Sequence, residues 1–159
     1  MAKVTNVSRN CIDLITHFEG LFLNSYLCPA NVWTIGYGTT IYPDGKKVSA
    51  DEACTQLQAM IFFRNDLGYF EKMVDAYTRD DVSQQQFDAL VSFAYNLGAK
   101  SLKDSTLLKV INSNPLSFEL IFTQWLRWNK ANGAPLKGLT RRRNSEFHYY
   151  KTGELKFDF

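Results

Sequence analysis

One stretch of the chain breaks an otherwise helical pattern, and it limits the folds open to the rest. Residues 32–48, VWTIGYGTTIYPDGKKV, are β-branched and aromatic residues interrupted by glycines. That texture predicts short antiparallel strands with a tight turn at Pro43–Gly45. On either side, apolar residues recur every three or four positions. Val7, Cys11, Leu14, Ile15 and Phe18 share one helical face, so a helix is expected from Ser8 to Phe18, ending near Gly20. Ser49 followed by Glu52 has the form of a capping box. Leu57, Ile61 and Phe62, and the apolar residues from Phe70 to Tyr77, then predict one long helix that Gly68 could bend.

Ser83 with Gln86 opens another helix over SQQQFDALVSFAYNLG, closed by Gly98. A helix over Thr106–Asn112 follows, then one carrying FELIFTQWLRW with Pro115 in its first turn. The last starts after NGAPLKG and includes LTRRRNSEFHYY. The expected class is therefore α+β and mostly helical. The 159 residues, 45% hydrophobic and 14% aromatic, suffice for a single domain over 1–159 with its own core. Its lobes are expected over roughly 12–60 and 75–159, with the N-terminal helix added. Phe118, Phe122, Trp125 and Trp128 share a helix and are expected in the core.

A net charge of +2 names no partner, but the charge is unevenly spread. Residues 1–99 carry −4 and residues 100–159 carry +6. A basic half can be drawn to an anionic polymer or to an anionic outer membrane; an uneven solvated surface accounts for it equally well. In TRRRN, a solvated basic face is the expectation for Arg141 and Arg143. The three cysteines, Cys11, Cys28 and Cys54, are widely spaced with no CxxC pair. They argue against a disulfide framework and a zinc site and favour a reducing compartment. His17 and His148 lack metal spacing, so no metal and no cofactor is expected. Polar residues interrupt the N-terminal apolar run, so neither a signal peptide nor a membrane anchor is expected.

Candidate chemistry gathers near the β-textured stretch. Glu19 falls at the end of the first helix, flanked by Phe18, Leu21 and Phe22, where the negative end of the helix dipole disfavours an ionised carboxylate. Cleaving a glycosidic bond requires such a proton donor, plus a group that stabilises or attacks the sugar carbon directly or through a water. The following strand could carry those partners to the far side of a cleft.

Glu19, Cys28 nine residues on and Thr34 six further, followed by IGYGTT, resemble the active site of phage-type lysozymes (glycoside hydrolase family 24, the T-even-type fold). FDALVSFAYNLG at 87–98 and LKGLTRRRNSE at 136–146 are similar to that family's central-helix and terminal motifs. The resemblance implies a small β-hairpin lobe and a helical lobe joined by a long helix, with a cleft between them. It implies hydrolysis of the β-1,4 bond between N-acetylmuramic acid and N-acetylglucosamine in peptidoglycan, by an endolysin that lyses the host. Glu19 would be the general acid and Thr34 would position a water or the substrate. Cys28 stands where many members have Asp, and would be a base, a nucleophile or a spacer. Tyr95, Asn96 and Thr106 would contact substrate, and Arg142 would approach the catalytic Glu. The implied partner is the glycan strand, with no nucleic acid. A monomer is expected, waiting in the host cytoplasm until a holin releases it to the periplasm and wall.

Three other readings stay open on the residues alone. A lytic transglycosylase would use Glu19 without a second carboxylate. A cysteine hydrolase would use Cys28 with His17 or His148. A non-catalytic module would bind peptidoglycan without cutting it.

Overall fold

The β-textured stretch forms one edge of a hairpin whose partner strand lies upstream. In the computed structural model, which describes residues 2–159, β1 (Phe22–Leu27) pairs antiparallel with β2 (Trp33–Gly36). The ladder sets Phe22 opposite Gly36, Tyr26 opposite Thr34 and Leu27 opposite Trp33, with a bulge between Phe22 and Tyr26. Downstream the expected strands shrink to isolated bridges, Ile35 with Thr39 and Ile41 with Lys47. The turn at Pro43–Gly45 is present: Gly45 N–H donates to the Tyr42 carbonyl at 2.9 Å, with φ +88° at Gly45.

Seven helices make up most of the described residues. They are α1 (Arg9–Glu19), α2 (Gln56–Tyr77), α3 (Gln84–Leu97), α4 (Ala99–Asp104), α5 (Thr106–Ser113), α6 (Phe118–Leu126) and α7 (Lys137–Thr152). The class is α+β and mostly helical, as expected. A two-residue hairpin, β3 (Lys130–Ala131) with β4 (Ala134–Pro135), turns through Asn132 and Gly133, both at positive φ. The Asn-Gly pair suits such a turn because both central positions need left-handed backbone. The chain divides into two compact units, residues 16–69 and the remainder.

The Ser49–Glu52 pair does not open a helix. Glu52 accepts the Ser49 N–H at 2.7 Å, half of a capping box. Its backbone, however, pairs with β1: Ser25 N–H donates to Glu52 O at 2.8 Å and Cys54 N–H to Leu23 O at 2.9 Å. Ladder bonds hold residues 52–54 extended, and α2 starts later at a genuine box. There Gln58 N–H donates to Thr55 Oγ1 at 3.1 Å, and Thr55 N–H to Gln58 Oε1 at 2.9 Å, an arrangement worth about 1 kcal/mol.

The same helix is the long one expected, and its core face lies away from Leu57 and Ile61. Leu57 and Ile61 are 71% and 53% exposed, while Ala59, Phe63 and Leu67 are buried. The core face of α2 is the four-residue series through Ala59, because that side lies against β2. Ala59 is small where β2 comes closest. A Cβ at Gly36 would lie 3.2 Å from the Ala59 Cβ, and φ +67° at Gly36 also favours glycine. Tyr37 packs on Phe63 with ring centroids 5.5 Å apart.

In the larger unit, α3 begins at the Ser83–Gln86 capping box and stops at Gly98, as expected. Every residue from Gln86 to Ala94 is buried, so α3 is covered on all sides, principally by α7. Burial of each large side chain such as Phe87, Leu90 or Phe93 stabilises by about 2 kcal/mol. Trp125 is fully buried, as expected for a core residue, whereas Trp128, Phe118 and Phe122 are half-buried. Pro115 precedes α6 rather than entering its first turn, because the N-cap is Ser117. Cap residue Ser105 separates the short α4 from α5, with its hydroxyl oxygen accepting the Leu108 N–H at 3.0 Å.

Asp66 on α2 accepts a hydrogen bond from the Thr39 hydroxyl at 2.7 Å, and burial pushes its carboxyl up to about 6 from 3.8. A carboxyl raised in the folded state favours folding while protonated. That contribution is complete below pH 3.8 and is lost as pH rises through about 6. Discounted for partial solvent access, the loss is about 2 kcal/mol. Asp66→Asn should therefore be more stable than wild type at pH 7 and equal to it near pH 3.5. Denaturant melts at the two pH values check this, and an unchanged difference between them would count against it.

Candidate active site

Glu19 is the last residue of α1, and Gly20 turns the chain out of the helix at φ +70° into β1. The Gly20 N–H still donates to Thr16 O at 3.2 Å, so the helix end holds the half-buried Glu19 in a defined place. Cys28 immediately follows β1, at the start of the loop 28–32 that closes the hairpin. Cys28 N–H donates to Val32 O at 3.0 Å, and Asn31 N–H donates to Cys28 O at 2.8 Å. Asn31 supplies the positive φ of +61° that a loop this tight requires.

That loop brings the backbone of Ala30 and Val32 near the sulfur. Donation from Val32 N–H, and then from Ala30 N–H and the Thr34 hydroxyl, outweighs desolvation and lowers the Cys28 thiol below its ordinary value. Hydrogen bonds to a thiolate stabilise the charged form. Thr34 is 4% exposed, and its hydroxyl also lies 3.0 Å from Val32 O. The single hydroxyl proton therefore has two claimants: the Val32 carbonyl beside a neutral thiol, the sulfur beside a thiolate.

Tyr26 was not among the residues singled out from sequence. It sits directly across the ladder from Thr34 and two positions before Cys28. Burial raises its phenol above the ordinary value, and the negative charges of Glu19 and Cys28 raise it further. Glu19, Cys28, Thr34 and Tyr26 thus share one neighbourhood of the smaller unit. Strand alternation offered the clue to Tyr26, since residues two apart share a face.

The other expected site residues belong to the larger unit. The Tyr95 ring lies against Phe70 with centroids 5.2 Å apart. Asn96 Oδ1 accepts from Arg143 Nη2 at 2.9 Å. Arg142 is buried, its Nε donating to Glu146 Oε1 at 3.2 Å and its Nη2 to Ser92 O at 3.3 Å. Thr106 is in a different place, lining a polar groove of about 260 Å³ with Asp104, Ser105, Gln124, Arg127 and Trp128.

Arg143 is not on a solvated face. It is fully buried, with Nη2 donating to Glu146 Oε1 at 2.9 Å. Glu146, also fully buried, further accepts from Ser92 Oγ at 2.8 Å and Trp125 Nε1 at 2.9 Å. Its place four residues after Arg142 and three after Arg143 marks it as their partner on one helix face.

The chain belongs to the phage lysozyme family, whose profile matches residues 16–146. The endolysin of Bacillus phage B103 is 39% identical over 153 residues, covering 95% of this chain and 56% of that protein. The chain thus spans a little over half the length of that relative. Among solved structures, the endolysin from Escherichia coli O157:H7 phage FAHEc1 is 34% identical, with a TM-score of 0.85 over 95% of this chain and 96% of that one. The muramidase domain of SpmX from Asticaccaulis excentricus is 30% identical, with a TM-score of 0.82 over 92% and 98% of the respective chains.

The three thiols differ in chemistry. Burial raises Cys11 well above its ordinary value and raises Cys54, while Cys28 is lowered. Iodoacetamide should alkylate Cys28 first, with a rate rising through a midpoint below pH 9.0. Peptide mapping of partly labelled protein checks the order; earlier labelling of Cys11 or Cys54 would contradict it.

Proposed function

We propose that the chain is the hydrolytic part of a phage endolysin, cleaving the β-1,4 bond between N-acetylmuramic acid and N-acetylglucosamine in peptidoglycan. The observation that carries the proposal is the hairpin register, which puts Cys28 and Thr34 on one face of the strand pair close to the end of α1 that carries Glu19. Membership of the phage lysozyme family and likeness to endolysins and a muramidase domain support the same reading.

Glu19 gives its proton to the leaving glycosidic oxygen as the bond to the anomeric carbon breaks. Positive charge grows on that carbon, and a water adds there directly or after a covalent intermediate. Cys28, with its thiolate favoured by the Val32 N–H, supplies the negative or basic group that other family members draw from a carboxylate. Thr34 positions the water or the sugar. Tyr95, Asn96 and Thr106 are proposed substrate contacts, the groove beside Thr106 being polar enough for sugar or peptide groups. Arg142 is proposed to support the site from its place beside Glu146.

Action at the wall fits what the relatives are called, and no helix among the described residues is long and apolar enough to cross a membrane. Holin-dependent release, a monomeric state and contact of the basic half with an anionic outer membrane belong to the same proposal. A cysteine hydrolase is less well supported. The His17 ring lies against Phe18 and the His148 ring against Phe159, and the largest causes of the shift at Cys28 are backbone hydrogen bonding and burial. A lytic transglycosylase is the second reading, favoured by the thiol standing where a second carboxylate would otherwise be.

Digestion of purified peptidoglycan with mass analysis of the products separates these outcomes. Reducing N-acetylmuramic acid ends are expected, whereas 1,6-anhydro ends would establish the transglycosylase. Glu19→Gln should lower activity at least a thousandfold, and Cys28→Asp should retain or raise it. Full activity in Glu19→Gln would overturn the assignment.

A further inference from the structure

The Tyr26 hydroxyl is a polar group in the candidate site without a hydrogen-bond partner among the described residues. It is half-buried and makes no hydrogen bond among the described residues, which leaves its donor and acceptor available to a bound molecule. The ladder sets Tyr26 opposite Thr34, and the Phe22 ring packs against the Tyr26 ring, 4.5 Å centroid to centroid. Cys28 is two residues further along the same strand direction, so that its side chain shares a face with those of Tyr26 and Thr34. The phenol therefore shares a strand face with Cys28 and Thr34 and lies near enough to Glu19 and Cys28 to feel their charge.

We propose that the Tyr26 hydroxyl hydrogen-bonds the attacking water and holds it beside Cys28 and Thr34. The proposal rests on the hydrolytic reading given above. A water that adds to a sugar carbon needs an acceptor for its departing proton and a second contact to fix its lone pair toward the carbon. Cys28 is the acceptor on this hairpin. Thr34 has only one hydroxyl proton, which the Val32 carbonyl also claims, so a second donor is required. In the balanced step the water oxygen bonds the anomeric carbon as the bond to the leaving oxygen breaks. Glu19 protonates the leaving oxygen, and the surplus water proton passes to Cys28 or to solvent. Tyr26 keeps its proton, because its own burial opposes ionisation of the phenol, as does negative charge at Cys28 and, once its proton is given up, at Glu19.

The test is Tyr26→Phe, assayed on soluble uncross-linked glycan strands beside wild type, Phe22→Leu and Glu19→Gln. Loss of one neutral hydrogen bond to the reacting water should lower kcat about tenfold and leave KM within about twofold, with an unchanged melting temperature. Phe22→Leu keeps the hydroxyl while loosening the ring contact, and should retain wild-type kcat. An unchanged kcat in Tyr26→Phe would overturn the proposal. So would an equal loss in Phe22→Leu, which would assign the effect to ring packing. An inactive Glu19→Gln beside a fully active Tyr26→Phe removes this role alone; an active Glu19→Gln removes the hydrolytic reading itself.

Discussion

The approach of β2 to α2 at Gly36 and Ala59 is the constraint on which the candidate site depends. A Cβ at Gly36 would lie 3.2 Å from the Ala59 Cβ, so any other residue there would strain the backbone at φ +67° and push strand and helix apart by a few tenths of an ångström. That closeness buries Ile35 and Thr34 and fixes the level of β2 on the core. Ladder register then carries the position outward, from Thr34 to Tyr26 and through the closing loop to Cys28. One backbone contact, remote from any titratable group, thereby sets the geometry of three polar side chains. The glycines of TIGYG belong to packing as much as to chemistry.

The larger unit is organised by a different force. Glu146 is a fully buried carboxylate shared by two buried guanidiniums, a serine hydroxyl and the Trp125 indole. An unpaired buried charge would be strongly destabilising, and removing one partner of such a group costs about 3–5 kcal/mol. With its acceptor positions filled, the same carboxylate ties α3, α6 and α7 together. Arg143 extends that network to Asn96, so a residue proposed to meet substrate is oriented by an ion pair inside the core.

Legibility in the sequence followed how local each determinant is. The capping box at Ser83 and Gln86 and the apolar stripe of α1 are contained within a few residues, and both correspond to the observed helices. Ser49 and Glu52 carry the same local code, but long-range pairing of residues 52–54 with β1 overrides it. Leu57 and Ile61 have helical spacing yet face solvent, since periodicity marks an apolar stripe without saying which side meets the core. The run of three arginines reads as a solvated face until Glu146, on the next turn, is counted with it. Around the candidate site, Glu19, Cys28 and Thr34 stand out through their spacing and family resemblance. The N–H donors that shape Cys28 and the ladder that presents Tyr26 exist only once the hairpin has closed.

The hairpin also explains how a thiol can occupy a position that a carboxylate more simply fills. The loop offers its acceptor backbone N–H donors and a hydroxyl, and donors of that kind stabilise an anion of either type. A carboxylate there would be ionised across the neutral range, so the donors would orient it without altering its charge. A thiol ordinarily becomes ionised well above neutrality, so the same donors decide how much of it is charged. With Cys28 in place, the backbone of one short loop controls the supply of negative charge beside Glu19, which links the folding of the hairpin directly to the proposed chemistry.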